Sequence, residues 1–160
     1  MATKHFSAEY EAQPQKQINL IGTKYNLCKT HFKNSSGANN DTYVLAQGLD
    51  GNAIIKGILL HTSGVSGAND NDIIICKHDE DTIIKVDSGN TNILSDGFSM
   101  SDSASGVDVL GENINNFDFS KSLKELTGID EESFDILLKT NSAVGSNTTM
   151  SFTLEIADNI

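Results

Sequence analysis

The stretch NDIIICKHDEDTIIKV, residues 71–86, contains six consecutive side chains that can titrate or bind a metal, from Cys76 to Asp81. Carboxylates perform acid–base catalysis when a cleft or burial gives them different environments. Here the flanking runs DIIICK and TIIKV have the β-branched composition of strands. We therefore interpret residues 78–81 as a turn between two strands, with side chains that diverge into water, and we assign it no catalytic role.

Two cysteine–histidine pairs are the candidates for a metal site. Cys28 and His31 form a C-x2-H pair, and Cys76 and His78 form a C-x-H pair. Four such ligands could bind zinc as a tetrahedron, but the one-residue gap is atypical, and a buried free thiol at Cys76 is the simpler interpretation. The Asn and Asp run at residues 69–72 could bind calcium, although the glycine and closing glutamate of an EF-hand are missing. We expect no metal and no cofactor.

The chain lacks a complete catalytic motif. The stretch GVSGA at residues 64–68 departs from G-x-S-x-G at its fifth position, and neither a P-loop nor a dinucleotide fingerprint is present. Nucleophilic catalysis needs a nucleophile, a base and an oxyanion hole together. We therefore predict that the protein is not an enzyme.

Charge and composition exclude several classes of partner. The formal net charge is −11, and all 11 basic residues are lysines. Arginine is the residue that best recognises phosphates and guanine edges, so neither nucleic acid nor an anionic membrane is an expected partner. The first 17 residues have no apolar core segment of a signal peptide, and no apolar run reaches the roughly 20 residues that span a bilayer. We expect a soluble protein made in a cytoplasm.

The pattern of apolar residues predicts an all-β fold. We expect an antiparallel β-sandwich of jelly-roll type with about eight strands and one short helix. An extended, unpacked N-terminal arm would cover residues 1–17, and a single domain residues 18–160. Within that domain, residues 101–132 read as an irregular insertion that carries the helix, with Ser120 as its N-cap and Gly128 at its end.

Two strands carry the most specific expectations. Residues 148–157 alternate between apolar and polar side chains, which predicts one buried face and one wet face. Residues 52–62, NAIIKGILLHT, place apolar side chains at both even and odd positions, so strict alternation predicts apolar faces on both sides. We expect another sheet to cover one of these faces, and a loop or another subunit to cover the other. Residues 18–27 read as a single first strand.

The order of elements in residues 53–100 resembles a known family. The segment AIIKGILLHTSGVSGANDNDIIICKHDEDTIIKVDSGNTNILSDGFSM reads as an apolar strand, a small polar loop, a hairpin around a charged turn, and a closing apolar pair. It resembles small β-sandwich structural proteins of tailed-phage virions, of the capsid decoration or cement type. The resemblance implies a protein that binds the outer capsid and bridges neighbouring capsomers, assembled in the host cytoplasm. It implies the major capsid protein or another virion protein as partner, a homo-oligomer with a trimer favoured, and no catalytic residues. A tail or head-closure component is the near alternative.

A carbohydrate-binding β-sandwich is the alternative from another functional class. Sugar rings stack on exposed aromatic side chains because both have apolar faces. The chain has no Trp and three tyrosines, Tyr10, Tyr25 and Tyr43. The expected aromatic platform is therefore small.

Overall fold

The computed structural model describes residues 3–5, 18–20, 23–34, 36–78, 93–146 and 148–158. These residues form ten strands and one helix: β1 Lys4–His5, β2 Ile18–Leu20, β3 Thr23–Asn34, β4 Thr42–Asp50, β5 Ala53–Thr62, β6 Asn71–Lys77, β7 Ile93–Phe98, β8 Ala104–Asp108, α1 Leu123–Thr127, β9 Ser133–Thr140 and β10 Thr148–Asp158.

The strands form two five-stranded sheets that pack as a sandwich. Sheet A has the order β1-β4-β9-β6-β7, and sheet B has the order β2-β3-β10-β5-β8. The short strand β1 pairs with β4 in parallel, whereas the other pairs are antiparallel. The eight strands β3 to β10 are divided between the sheets as in a jelly roll. The predicted antiparallel sandwich is confirmed, with two short N-terminal strands added to it.

Strand β10 has the alternation that the sequence predicts. Its inward side chains are fully buried in the core between the sheets, and its outward side chains are half-buried. The inward set is Met150, Phe152, Leu154 and Ile156, and the outward set is Thr149, Ser151, Thr153 and Glu155. Because β10 pairs with β3 on one side and β5 on the other, it fixes the inner and outer faces of sheet B.

The faces of strand β5 differ from the prediction. A bulge interrupts its pairing with β10, so that Glu155 lies opposite Gly57 but Ile156 lies opposite Ile55. The extra residue, Lys56, changes the alternation, and Ile55 and Ile58 both face the core. The strict alternation expected for residues 52–62 is therefore wrong, since residues 54 and 58 lie on different faces of β5. Outside the bulge, only Ile54 and Leu59 are half-buried apolar side chains of β5.

The first predicted strand is in fact two strands. Residues 18–20 form β2, which pairs with the first residues of β3 in an antiparallel hairpin. Strand β3 then continues to Asn34, seven residues beyond the predicted end of the strand at residue 27. The glycine that interrupts the predicted strand, Gly22, lies outside the described residues.

Two further segments are more ordered than the sequence suggests. Residues 4–5 of the expected free arm form β1 at the edge of sheet A, because Thr42 N donates to Thr3 O at 2.8 Å. The rest of that arm, 6–17, lies outside the described residues. In the expected irregular insertion at 101–132, residues 104–108 form β8 and pair with β5.

Helix α1 begins two residues later than the sequence predicts. Ser122, rather than Ser120, is the N-cap, because Glu125 lies three residues on and completes a capping box. Ser122 N donates to Glu125 Oε2 at 2.7 Å, and Glu125 N donates to Ser122 Oγ at 3.3 Å. Ser120 instead donates to Asp118 through its hydroxyl at 2.5 Å. The predicted end at Gly128 is confirmed by its left-handed φ of 68°.

The assignment of the cap makes a direct prediction. Replacing Ser122 with Ala removes one acceptor from a buried helix start and should lower the free energy of unfolding by about 1 kcal/mol. The matched control is Ser120→Ala, whose exposed hydroxyl caps nothing and should cost much less. Urea denaturation followed by circular dichroism measures both. Equal losses for the two variants would contradict the assigned cap.

Candidate functional site

The first Cys–His pair is split between the two sides of sheet B. Cys28 faces the core, 2% exposed, and its thiol donates to Leu45 O at 3.0 Å. Burial raises the pKa of this thiol to about 12, which makes a zinc-binding thiolate unfavourable. His31 lies three residues on, on the opposite, exposed face, where its Nδ1 bonds Ser151 Oγ at 2.7 Å. The pair cannot converge on one metal ion without breaking β3.

The second pair lies in the other sheet. Cys76 is 3% exposed on the outer side of sheet A, where it packs in a cluster with Val44, Ile74 and Leu137. His78 is half exposed, and its Nδ1 lies 2.8 Å from Asp135 Oδ1. The structure therefore does not bring the four zinc candidates together. In the described part of the chain, no three His, Cys, Asp or Glu side chains are grouped so as to hold a metal ion.

The pair of His78 and Asp135 is a feature that the sequence did not indicate. Asp135 is 1% exposed on β9, directly opposite Cys76 in the ladder. Its Oδ1 also accepts a hydrogen bond from Gly48 N at 2.9 Å, at the irregular end of β4. A buried carboxylate that orients an imidazole recurs in catalytic triads. Here the thiol of Cys76 is buried, and among the described residues the pair ties together β4, the end of β6 and β9.

The predicted turn at 78–81 is described only at His78. Asp79, Glu80, Asp81 and the predicted strand at 82–86 lie outside the described residues, so the hairpin stays a prediction. Strand β6 itself is confirmed, and it pairs with β9 on one side and with β7 on the other.

The most completely bonded carboxylate among the described residues anchors the N-terminal strand. Asp41 is 4% exposed, and it accepts hydrogen bonds from Thr3 N at 2.9 Å and Ala38 N at 3.1 Å, with His5 Nε2 at 3.0 Å. The ring of His5 stacks on Tyr43, with centroids 4.4 Å apart. Burial acts to raise the pKa of Asp41, but the hydrogen bonds from His5, Thr3 and Ala38 outweigh it, and the pKa lies below its usual value.

A second carboxylate cluster lies where loops meet at the end of the sandwich. Asn141 Nδ2 donates to Asp72 Oδ2 at 2.9 Å and to Asp70 Oδ1 at 3.4 Å. Asp96 of β7 completes the cluster. Its pKa is raised by partial burial and by the nearby charges of Asp72 and Asp70. Asp70 and Asp72 belong to the run that was considered for calcium. Asp96 is distant from them in sequence, and the pairing of β6 with β7 brings it close to both.

The possible sugar platforms are not available as expected. Tyr43 is 2% exposed and packs edge-to-face against Phe32. Tyr10 and the side chain of Tyr25 lie outside the described residues. Phe119, at 50% exposure, is the most exposed aromatic side chain in the described part of the chain.

Comparisons of the chain with protein-family models, with curated proteins and with solved structures found no match. The described residues contain no helix that is long and apolar enough to cross a membrane. The function of the chain must therefore be argued from its own surfaces.

The bonding of Asp41 predicts a loss of stability that depends on pH. Asp41→Asn introduces an amide donor opposite backbone donors and should lower the free energy of unfolding at pH 7 by about 1–3 kcal/mol. Because the folded-state pKa of Asp41 is lowered, its contribution is present above the usual carboxyl pKa and is lost as the pH falls through the lowered value. The gap between wild type and variant should therefore close in acid. Asp102→Asn, at an exposed position, is the control. A gap that stays constant down to pH 2 would contradict this role.

The repulsion around Asp96 predicts that replacing this carboxylate increases the stability of the protein at neutral pH. Because the folded-state pKa of Asp96 is raised, its ionised form opposes folding at neutral pH, and this penalty disappears as the pH falls. Asp96→Asn should therefore raise the melting temperature at pH 7, by an amount equivalent to up to about 0.5 kcal/mol, and the gain should shrink in acid. Thermal unfolding at several pH values measures this, again with Asp102→Asn as control. A lower melting temperature for Asp96→Asn at pH 7 would contradict the assignment.

Proposed function

We propose that this chain is a virion structural protein of the capsid decoration type, which binds the outside of an assembled shell and bridges neighbouring capsomers. A tail or head-closure role is the near alternative. Jelly rolls recur in viral capsid domains and in lectins, so the fold agrees with the proposal but does not select it. The family resemblance in residues 53–100 is its starting point, and the surfaces of the sandwich add support.

The observation that carries the proposal is the strand that the N-terminus adds to sheet A. Strand β1 is held by main-chain pairing to β4 and by the buried Asp41, rather than by a core of its own. Extended segments that add a strand to a sheet edge are a recurring way to join polypeptide chains. An N-terminal segment with this property suits a subunit that must attach to its neighbours in a shell.

The side chains that could take part in catalysis are arranged in a way that favours binding over catalysis. The pair of His31 and Ser151 lies on the exposed face of a sheet, where neighbouring backbone N–H groups are used in the β-ladder. The thiol beside His78 and Asp135 is buried. Neither arrangement provides a nucleophile together with oxyanion donors and a sheltered cleft.

The proposed mechanism is mass action. A protein that binds the assembled shell and not the free coat subunit stabilises the shell in proportion to its concentration and affinity. Catalytic turnover is not needed for this. The trimer favoured by the resemblance stays a prediction.

The test is co-sedimentation of the purified chain with shells of the major capsid protein encoded in the same genome. We expect saturable binding to expanded shells, a higher melting temperature of the shells, and no binding to unassembled coat subunits. The free subunits serve as the matched control. Failure to bind shells before and after expansion, or equal binding to free subunits, would contradict the proposal.

One observation favours the carbohydrate-binding alternative. Phe119 is exposed and packs edge-to-face against Phe117, with centroids 4.9 Å apart. Its Cζ would lie 3.3 Å from a Cβ placed on Gly111, and the next residue, Glu112, accepts through its backbone O from Asp96 N at 3.0 Å. An exposed ring beside carboxylate and amide groups can bind a sugar through stacking and hydrogen bonds. Binding on a glycan array that Phe119→Ala abolishes would favour this alternative over the virion role.

A further inference from the structure

The outer face of sheet B carries two ordered rows of side chains across β3, β10, β5 and β8. The ladder places these residues side by side, and all of them are exposed or half-buried. We call them the charged row and the histidine row. The charged row is Lys29, Thr153, Leu59 and Asp108, and the histidine row is His31, Ser151, His61 and Ser105.

Both rows are complementary to their own reversal. A rotation by 180° about an axis parallel to the strands, between β10 and β5, lays the face on a copy of itself and exchanges β3 with β8 and β10 with β5. We propose that the outer face of sheet B binds the same face of a second copy of this chain around this two-fold axis. A two-fold contact uses one patch on both subunits, so each favourable pair occurs twice.

In the charged row, the rotation brings Lys29 to Asp108 of the partner subunit. Within one chain, the carboxylates of Asp108 and Glu155 converge on Gly57, since a Cβ placed on that glycine would lie 3.3 Å from Glu155 Oε2 and 3.6 Å from Asp108 Oδ2. Across the described ranges, neither carboxylate has a Lys or His nitrogen within ion-pair distance. Lys29 likewise has no such partner there. The second copy places its Lys29 opposite Asp108 and its Asp108 opposite Lys29. In the next row, the rotation lays Glu155 over Gly57 of the partner subunit, so Glu155 gains no opposite charge from the contact.

In the histidine row, the rotation brings each histidine to a serine. His31 faces Ser105 of the partner subunit, and His61 faces Ser151 of the partner subunit. The Nδ1 of His31 already bonds Ser151 of its own chain at 2.7 Å, which directs Nε2 outward to a partner hydroxyl. Imidazole and hydroxyl groups act as both donors and acceptors, so these pairs are satisfied in either tautomer.

The face also has apolar surface. Leu27 of β3 is 54% exposed, and Leu59 and Ile54 are half-buried on β5, across β10 from β3. Strands β3, β10 and β5 have 12, 11 and 10 residues, whereas β8 has five and β2 has three. Because β3 overlaps β8 and β2 has no counterpart under the rotation, the overlapping strands cover ~500 Å² per copy, less than the ~800 Å² per partner of a standard interface and in the range of weak or transient contacts. By contrast, the apolar side chains on the outer side of sheet A, such as Ile74, are already buried.

This inference goes beyond the proposed function, because it holds whether or not the chain binds a shell. It also selects a two-fold contact, whereas the sequence resemblance favours a trimer.

The experiment exploits the two-fold symmetry. In a dimer of Lys29→Glu, the introduced glutamate meets Asp108 at both contacts, and in a dimer of Asp108→Lys, the introduced lysine meets Lys29 at both. We expect each variant alone to dimerise at least about tenfold more weakly than the wild type, by light scattering after gel filtration. In an equimolar mixture, the mixed dimer has opposite charges at both contacts. We expect dimerisation to return, with mixed dimers identified by native mass spectrometry of one 15N-labelled variant.

The controls separate the contact from folding and from net charge. Lys121→Glu makes the same charge change at an exposed site outside sheet B and should dimerise like the wild type. Asp108 Oδ1 accepts from Ile58 N and Leu110 N, so thermal unfolding must show that Asp108→Lys is folded. If it is not, Lys29→Glu combined with Asp108→Asn keeps the acceptor, removes the repulsion, and should dimerise more strongly than Lys29→Glu alone. A wild type that is monomeric or trimeric over a wide range of concentration, or a mixture that dimerises no better than its components, overturns the proposal.

Discussion

The pairing of β10 between β3 and β5 is the constraint on which the rest of the structure depends. It sets which side chains of three neighbouring strands enter the core, with Phe152 and Leu154 fully buried at its centre. The same register decides which side chains stand in line on the outer face. A slip of one residue would exchange the two sets, so the buried face enforces the order of the exposed one. The surface on which the binding proposal rests is thus specified by the hydrophobic core behind it.

Carboxylates in this acidic chain have two different roles. Asp41 and Asp135 are buried and bonded to backbone N–H groups and histidines, and they hold strands together. Asp96 and Asp108 stand near other carboxylates at the surface. Charges of the first kind are structural and internally compensated. The repulsion around Asp96 raises the free energy of the isolated subunit. Asp108 also accepts two backbone hydrogen bonds, and in the proposed dimer it meets Lys29 of the partner subunit.

The sequence predicted what depends on local patterns. The alternation of β10, the sandwich fold and the glycine that ends α1 all follow from a few neighbouring residues, and all are confirmed. The bulge at Lys56 was not predictable, because both registers of β5 offer isoleucines to the core and only the pairing with β10 chooses between them. Ser122 was missed as the cap, although the capping-box spacing to Glu125 was the signal that could have identified it.

The candidate sites were harder to predict because their members are distant in sequence. His5 and Asp41 are 36 residues apart, and His78 and Asp135 are 57 apart. The zinc hypothesis failed for the converse reason. Cys28 and His31 are close in sequence, yet an odd spacing along a strand sends them to opposite sides of the sheet. Proximity along a β-strand is a poor guide to a shared site, whereas the cross-strand register is a good one.

The role proposed for this chain is to occupy a place in an assembly. Quantitative mass spectrometry of purified virus particles from the genome that encodes it tests this claim most directly, with the major capsid protein as internal standard. A decoration protein is predicted to be present in a fixed, high ratio to the capsid protein, comparable with the number of symmetry-related sites on the shell. A few copies per particle would contradict decoration in favour of a tail or closure role, and absence from the particle would contradict any virion role for the chain.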